Sequence, residues 1–589
     1  MIRDAEIIAT DVLVIGGGGS ASRAAIAADN EGAVVHMVVK GLFGHSGCTP
    51  VALGGYAAAF GHADPRDNWK EHLKDSCIGG GMINNQDLVE VLCKNAPSRF
   101  RELESYGSVF DRDSNQNYYQ RQLGGHSFPR TCTSADRTGG EMMKGLTYEV
   151  YRREISVLQD CMAITLLKEE QTNRVVGCLC YDIKRGQFLI FKSKSVILTS
   201  GGCGQVFKYC FAPYQKAGDS NRMALEAGAE LVDIELFQFH PTGYIQPEGI
   251  AGQSISEGVR GEGGRLYNAL GERFMERYNP QQLELACRDF VSRCIYFEVK
   301  EGRGVDDKAV YLSVTHLPDQ IVDQRLPAML GRGLNYKVDI RKNPMYIYPS
   351  SHYQNGGIRV DTSWKTGVEH LYAAGESAGG VHGGNRLGSN SLPDLLVSGK
   401  IAGENAALAA LGAYKPVDMT NFRKEIERAA EYVDDIVGQD NGVNPISTRN
   451  EIKDLVWDNV GIARSKESLT HALDVLEDMK VNRLPRIGDR GRSAYNTEFM
   501  EALDVRSLIV SGECMARAAL MREESRCGHF REDFPVPKDE WTANIVTSLD
   551  KEGAYQLKKI PVVQTHLKAE DVEMPIFPVC GMEPTPCEG

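Results

Sequence analysis

The sequence has no C-x-x-C pair, so if electrons leave this protein through iron–sulfur clusters, another chain has to carry them. Its fifteen cysteines are scattered from Cys48 to Cys587, odd in number, and read as reduced thiols rather than a disulfide framework. Only Cys178 and Cys180 stand two apart, inside the strand-like run Val175–Tyr181, where a structural role is expected. No uninterrupted apolar stretch approaches the ~20 residues that span a bilayer. The segment from Met1 to Thr10 carries Asp4 and Glu6 and lacks both an apolar signal core and a twin-arginine pair. A cytoplasmic location is expected, at the inner face of a membrane only through partner subunits. Positive charge is in deficit: 66 Lys plus Arg against 79 Asp plus Glu leave −13, which argues against nucleic acid or anionic lipid as a partner. An anionic substrate therefore needs a local cationic pocket. There is also no G-x-S-x-G elbow for a serine hydrolase.

What is present describes a large folded chain, 42% hydrophobic and 25% charged over 589 residues, long enough for several domains. Asp11–Ile15 is a buried-strand run that enters Gly16-Gly-Gly-Gly-Ser-Ala21, followed by a helix-like segment, Ser22–Asn30, and a second strand, Ala33–Val39. Gly16, Gly18 and Ala21 fit the dinucleotide fingerprint, with Gly19 and Ser20 opening the helix on which a pyrophosphate rests. Lys40 stands where the ribose-reading acid usually does, so either the ribose is held elsewhere or Lys40 meets a phosphate as in an NADP site. Ser195–Gly202 and His370–Glu376 look like further strands of the same domain. The charged, aromatic stretch His240–Asn343 shows no sustained strand alternation and reads as an inserted capping domain. After Gly412 the apolar period becomes helical, with stripes through Phe422 and Val433, Leu469 and Leu476, and Phe499–Met521. Thr448-x-x-Glu451 reads as a capping box. Arg483, Arg486, Arg490 and Arg492 form a basic island, read as a solvated face or a docking surface. Seven of the 23 prolines fall after residue 534, so the last ~30 residues read as an extended arm.

Several separated segments suit a dicarboxylate. His240 precedes a rigid Pro-Thr-Gly turn; Ser256, Glu257 and Arg260 share a glycine-rich loop; Arg288 opens an amphipathic stretch; His352 precedes Gly356-Gly357; Arg386 follows a cluster of glycines. Two arginines beyond the one paired with Glu257, and two histidines, can supply charge-assisted bonds to two carboxylates. His240, His352 and Glu257 lack close ligand spacing, so no metal is expected.

Five motifs in order carry a resemblance: Phe239-His-Pro-Thr-Gly243, Glu257-Gly-Val-Arg-Gly-Glu-Gly-Gly264, Ala373-Ala-Gly-Glu376, Asn385-Arg-Leu-Gly-Ser-Asn-Ser-Leu392 and Arg522-Glu-Glu-Ser-Arg-Cys-Gly-His529. From Asp11 to about Pro535 the chain resembles the flavoprotein subunits of succinate dehydrogenase and fumarate reductase, with L-aspartate oxidase in the same superfamily. The resemblance implies an α/β fold: a Rossmann-like FAD-binding domain (1–238 and 345–412) interrupted by an α+β capping domain (239–344), then a helical bundle (413–534) and a C-terminal extension (535–589). It implies flavin contacts at Gly16, Gly18, Gly19, Ser20, Ala21, Lys40, Gly54, Gly55, Asp219, Glu376, Ser391 and Leu392. It also accounts for Lys40 without NADP, because the family commonly has Ser-Lys there. By the same carry-over Arg288 gives the proton to the alkene, Glu257 and Arg260 belong to its relay, His240 with Ser256 holds one carboxylate, and His352 with Arg386 the other. The implied activity is hydride exchange between FAD and fumarate or succinate, with electrons passing to or from a separate iron–sulfur subunit. The alternatives are an L-aspartate oxidase or a flavoprotein reducing another unsaturated acid. The family's covalent flavin histidine aligns at Gly47 or Cys48, so noncovalent FAD is expected, His45 being the nearby candidate for a shifted link. Leu123 and Gly140 stand where Phe and His are frequent and alter the flavin-side wall.

Overall fold

The strand Glu6–Ile15 is buried from Val12 onward and turns directly into the helix Gly19–Asn30. The chain returns in the parallel strand Val35–Val39, with Val12 opposite Val35. In this computed structural model the described residues are 2, 5–169, 172–412, 414, 417, 419–434, 442–488 and 494–572. The central seven-stranded sheet runs in the order Ser156–Gln159, Val35–Val39, Glu6–Ile15, Gln187–Leu198, Arg174–Asp182, Cys161–Glu169, and Leu371–Ala373 also pairs with Gln187–Leu198. The strands ending at Ile15, Val39, Leu198 and Ala373 are parallel, so their carboxyl ends open on one edge, where open α/β sheets bind ligands. Cys178 and Cys180 lie buried in this sheet, and every cysteine among the described residues is free.

The long helix Ser391–Leu411 crosses the fingerprint helix at close quarters. A Cβ on Gly399 would come within 2.6 Å of the Ser20 carbonyl oxygen, and one on Gly403 within 2.3 Å of that of Ala24. Only hydrogen fits at those two positions, which fixes the helix bearing the phosphate-binding turn.

Beyond Val232 the chain builds a second, antiparallel sheet in the order Phe237–Tyr244, Met345–Gln354, Val310–Ser313, Arg265–Tyr267. The sequence shows little alternation here because the two outer pairs are short and the long pair is bulged. Its register jumps from Gln238 opposite Tyr353 to Phe239 opposite Ser351, and slips again between His240 and Gly243. The strand Met345–Gln354 belongs to this sheet, so the cap's sheet runs past residue 344.

The helices Met419–Asp434, Pro445–Val460, Lys466–Asp478 and Thr497–Met521 follow. The capping box at Thr448 and Glu451 is a misreading: the helix begins three residues earlier. Asn444 accepts from the N–H groups of Ile446 and Ser447, and Pro445 presets the first turn, leaving Thr448 buried inside the helix. Of the basic island, Arg490 and Arg492 lie outside the described residues. Within the C-terminal extension Ala543–Leu549 and Tyr555–Pro561 form a hairpin that pairs onto Leu231–Val232, ahead of the expected arm, of which residues 573–589 lie outside the described ones.

Candidate active site

At the carboxyl edge of the central sheet lies a cleft walled by Ile15–Ser20, Val38–Gly41, Ser46–Thr49, Thr199–Gly201, Gln215, Lys216, Asp219, Glu376 and Leu395. Gly16 has φ +140°, and a Cβ there would stand 2.5 Å from the Thr199 carbonyl oxygen. The fingerprint helix has Gly18 as its N-cap and receives no side-chain cap; the Gly19 N–H reaches Thr49 Oγ1 at 3.2 Å. Ser20 Oγ is buried in this turn with no partner. A helix N-terminus with unused donors and an orphaned hydroxyl suits a pyrophosphate, so the residues present fit FAD.

Other expected flavin contacts differ in placement. Lys40 lines the cleft, but its ammonium is engaged by Asp219 at 3.0 Å, by Asp504 of the helical domain and by the Gln215 carbonyl at 3.3 Å. Asp219 uses its other oxygen on Ser507 at 2.7 Å. Asp219 and Asp504 therefore occupy the Lys40 ammonium, and it offers no free cation to a phosphate. Gly54, Gly55, Ala21, Ser391 and Leu392 do not wall this cleft. Ser391 and Leu392 open the helix whose Leu395 does. His45 is exposed and outside it, whereas Gly47 and Cys48 face it.

Next to the cleft, the bulged pair of cap strands brings His240 and His352 within 5.4 Å, ring centre to ring centre, with Phe211 edge-on to both. A bulge re-aims side chains, and the jump in register leaves His352 without a direct cross-strand partner. The Thr242 N–H donates to His240 Nδ1 at 3.3 Å, which assigns the ring proton to Nε2. Burial, reinforced by the guanidinium groups around them, holds both imidazoles well below the ordinary histidine range. Both are neutral donors at pH 7.

Three arginines surround this pair. Arg288, at the first turn of the helix Arg288–Glu298, grips one Glu257 oxygen through Nε at 3.1 Å and through its terminal nitrogen. Arg260 stands 3.7 Å from the other Glu257 oxygen and donates to the Glu284 carbonyl. Burial pushes the Glu257 carboxyl up, but Arg288 and Arg260 outweigh it and hold it at about 2. Arg386 is buried, its pKa brought down by burial and by Arg288 to about 10, still charged at pH 7. Arg260 Nε and NH2, and Arg386 Nε, are buried donors without partners. Ser256 Oγ accepts from the Gly258 N–H at 3.2 Å.

All seven expected catalytic and substrate-binding residues thus fall in one region, and sequence reasoning missed one member of it. Gln238 Oε1 accepts from Arg288 at 3.2 Å and Arg386 at 2.9 Å, while its amide nitrogen donates to the Arg386 carbonyl at 2.8 Å. It stands two residues before His240 on the same strand, and proximity to that motif was the signal that could have found it. Lys216, paired with Glu376 in the cleft wall, had no motif to mark it.

The chain matches the model of the FAD binding domain over residues 11–392 and that of the fumarate reductase flavoprotein C-terminus over 449–576. It is 41% identical to one of the subunits of the fumarate reductase (CoM/CoB) of Methanothermobacter marburgensis, covering 94% of this chain and 99% of that one. It is 35% identical to the succinate dehydrogenase flavoprotein subunit of Rickettsia bellii, covering 96% and 97%. Its fold matches a variant of the E. coli quinol fumarate reductase chain FrdA with a TM-score of 0.90 and 29% identity, covering 96% and 98%. The chain is therefore an FAD-binding oxidoreductase and belongs to the family of fumarate reductase and succinate dehydrogenase flavoprotein subunits.

Proposed function

We propose that this chain is the dicarboxylate-reducing subunit of a fumarate reductase or succinate dehydrogenase, binding FAD noncovalently and exchanging electrons with an iron–sulfur partner. The carrying observation is the charge balance beside the cleft: three guanidiniums, two neutral histidines and a single internal carboxylate, with three guanidinium nitrogens that make no hydrogen bond. The net of two positive charges matches a dianion. FAD supplies the hydride that adds to one alkene carbon.

The protein's part is to hold the diacid and to place a proton. His240 Nε2–H, with Ser256 beside it, receives one carboxylate; His352 and Arg386 receive the other. As negative charge builds on the second alkene carbon, fixed donors already aimed at it stabilise it without reorganisation. Arg288 gives the proton. A guanidinium is a weak acid, so its service depends on alignment by Glu257 and Gln238 and on a strongly basic acceptor. Glu257 keeps 27% of its side chain exposed, and is the member of the relay through which solvent returns the proton. With its carboxyl held at about 2 it carries that proton only in passing.

Support for noncovalent FAD is the exposed position of His45 outside the cleft. Among the described residues no helix is long and apolar enough to cross a membrane, so membrane contact is assigned to partners. The deciding experiment reduces the bound flavin anaerobically, mixes it with fumarate in a stopped-flow cell and follows the return of flavin absorbance. Fast reoxidation is expected, slowed ~10³-fold in Arg288→Lys, which keeps charge but loses the aligned proton. Wild-type flavin that stays reduced with fumarate would assign the site to another acceptor.

A further inference from the structure

Lys216 is 5% exposed and lies in the cleft wall, yet the chemistry above gives it no task. Its ammonium bonds Glu376 and stands 3.6 Å from Cys48 Sγ. Glu376 in turn accepts the Gln354 N–H at 3.0 Å, and Gln354 ends the same strand that carries His352. Lys216 also belongs to the positive charges that depress His352. The Lys216–Glu376 pair thus stands where the nucleotide cleft meets the dicarboxylate cluster. Hydride can pass only between neighbours, so the redox-active ring of FAD has to lie at this end of the cleft. This placement rests on the function proposed above.

We propose that Lys216, balanced by Glu376, sets the reduction potential of the bound FAD. Two-electron reduction adds negative charge to the cofactor, and a buried ammonium beside it stabilises the reduced form more than the oxidised one, since charges interact strongly where water is excluded. Glu376 acts in the opposite sense and holds that effect in check. Buried beside Cys48 and Glu376, Lys216 stays protonated at neutral pH, these neighbours together outweighing the burial. The pair therefore gives a fixed electrostatic bias that needs no covalent bond to the flavin.

The test is an anaerobic spectroelectrochemical titration of the FAD-loaded wild type, Lys216→Met, Lys216→Arg, Glu376→Gln and the double variant K216M/E376Q. Lys216→Met is expected to lower the reduced-to-oxidised ratio at fixed potential at least tenfold, about 30 mV for a two-electron couple. Lys216→Arg should restore it, Glu376→Gln should raise it, and the double variant should return close to wild type. An unchanged midpoint in Lys216→Met with full FAD content overturns the proposal. If Lys216→Met loses FAD, Glu376→Gln decides by the sign of its shift; loss of FAD in both assigns Lys216 a structural role and overturns it equally. Failure of the function proposed above would appear separately, as wild-type flavin that fumarate does not reoxidise.

Discussion

At the scale of single residues, the site depends on side chains that hold other side chains. Gln238 gives one oxygen to both Arg288 and Arg386. Replacing it by Leu leaves two charged donors unpaired at a cost of about 2 kcal/mol, a ~30-fold fall in kcat/KM. Gln238→Glu keeps an acceptor but cancels one of the two net positive charges, so its main effect is expected on KM for the dianion. Steady-state kinetics of the two variants separates these outcomes; equal effects on kcat and KM in both would contradict them. His240, Glu257 and Arg386 were legible because each sits in a short, distinctive motif, whereas Arg288 and His352 stand outside those motifs and took their roles only from the resemblance. Lys216 was not, because its partner lies 160 positions away and neither residue type nor spacing announces the pair.

At the scale of elements, the fingerprint turn and the helices were readable from local pattern, and the cap's sheet was not. Strands of three or four residues carry too few alternations to register, and the bulges around His240 break the period of the long pair. The misplaced capping box shows the same limit, since Asn444 followed by Pro445 was an equally good start signal four residues upstream. Asn444→Ala is expected to destabilise the helical domain by about 1 kcal/mol, lowering Tm by ~2 °C. Glu451, itself half-exposed and paired with Arg483, should tolerate Ala with less than about 0.5 kcal/mol of change. Thermal melts of both variants check this, and a larger drop for Glu451→Ala would reinstate the box.

At the scale of the whole molecule, net charge and length indicated a large acidic chain but not how its ionisable groups are buried. His72, His126, His240, His352 and His529 are all pushed below the ordinary histidine range, burial being the main cause in each. Below pH ~6.5 the unfolded chain binds protons at these positions that the folded chain refuses, so stability is lost as pH falls through that value. Asp233 and Asp504, raised by burial to about 7, act oppositely between pH ~4 and 7. His36, His316 and His370 shift the same way as these five, and Asp67 the same way as the two aspartates. The lowered histidines outnumber the raised aspartates, so unfolding at pH 5.5 should take up protons, and Tm should fall between pH 7.5 and 5.5. Calorimetry across that range checks the sign; a rising Tm would refute it. The hydrogen bonds of Gln238 also act at this scale, because they join the cap's sheet to the loop bearing Arg386. Parting these two layers would have to break those bonds together, so separation at this seam is cooperative rather than gradual.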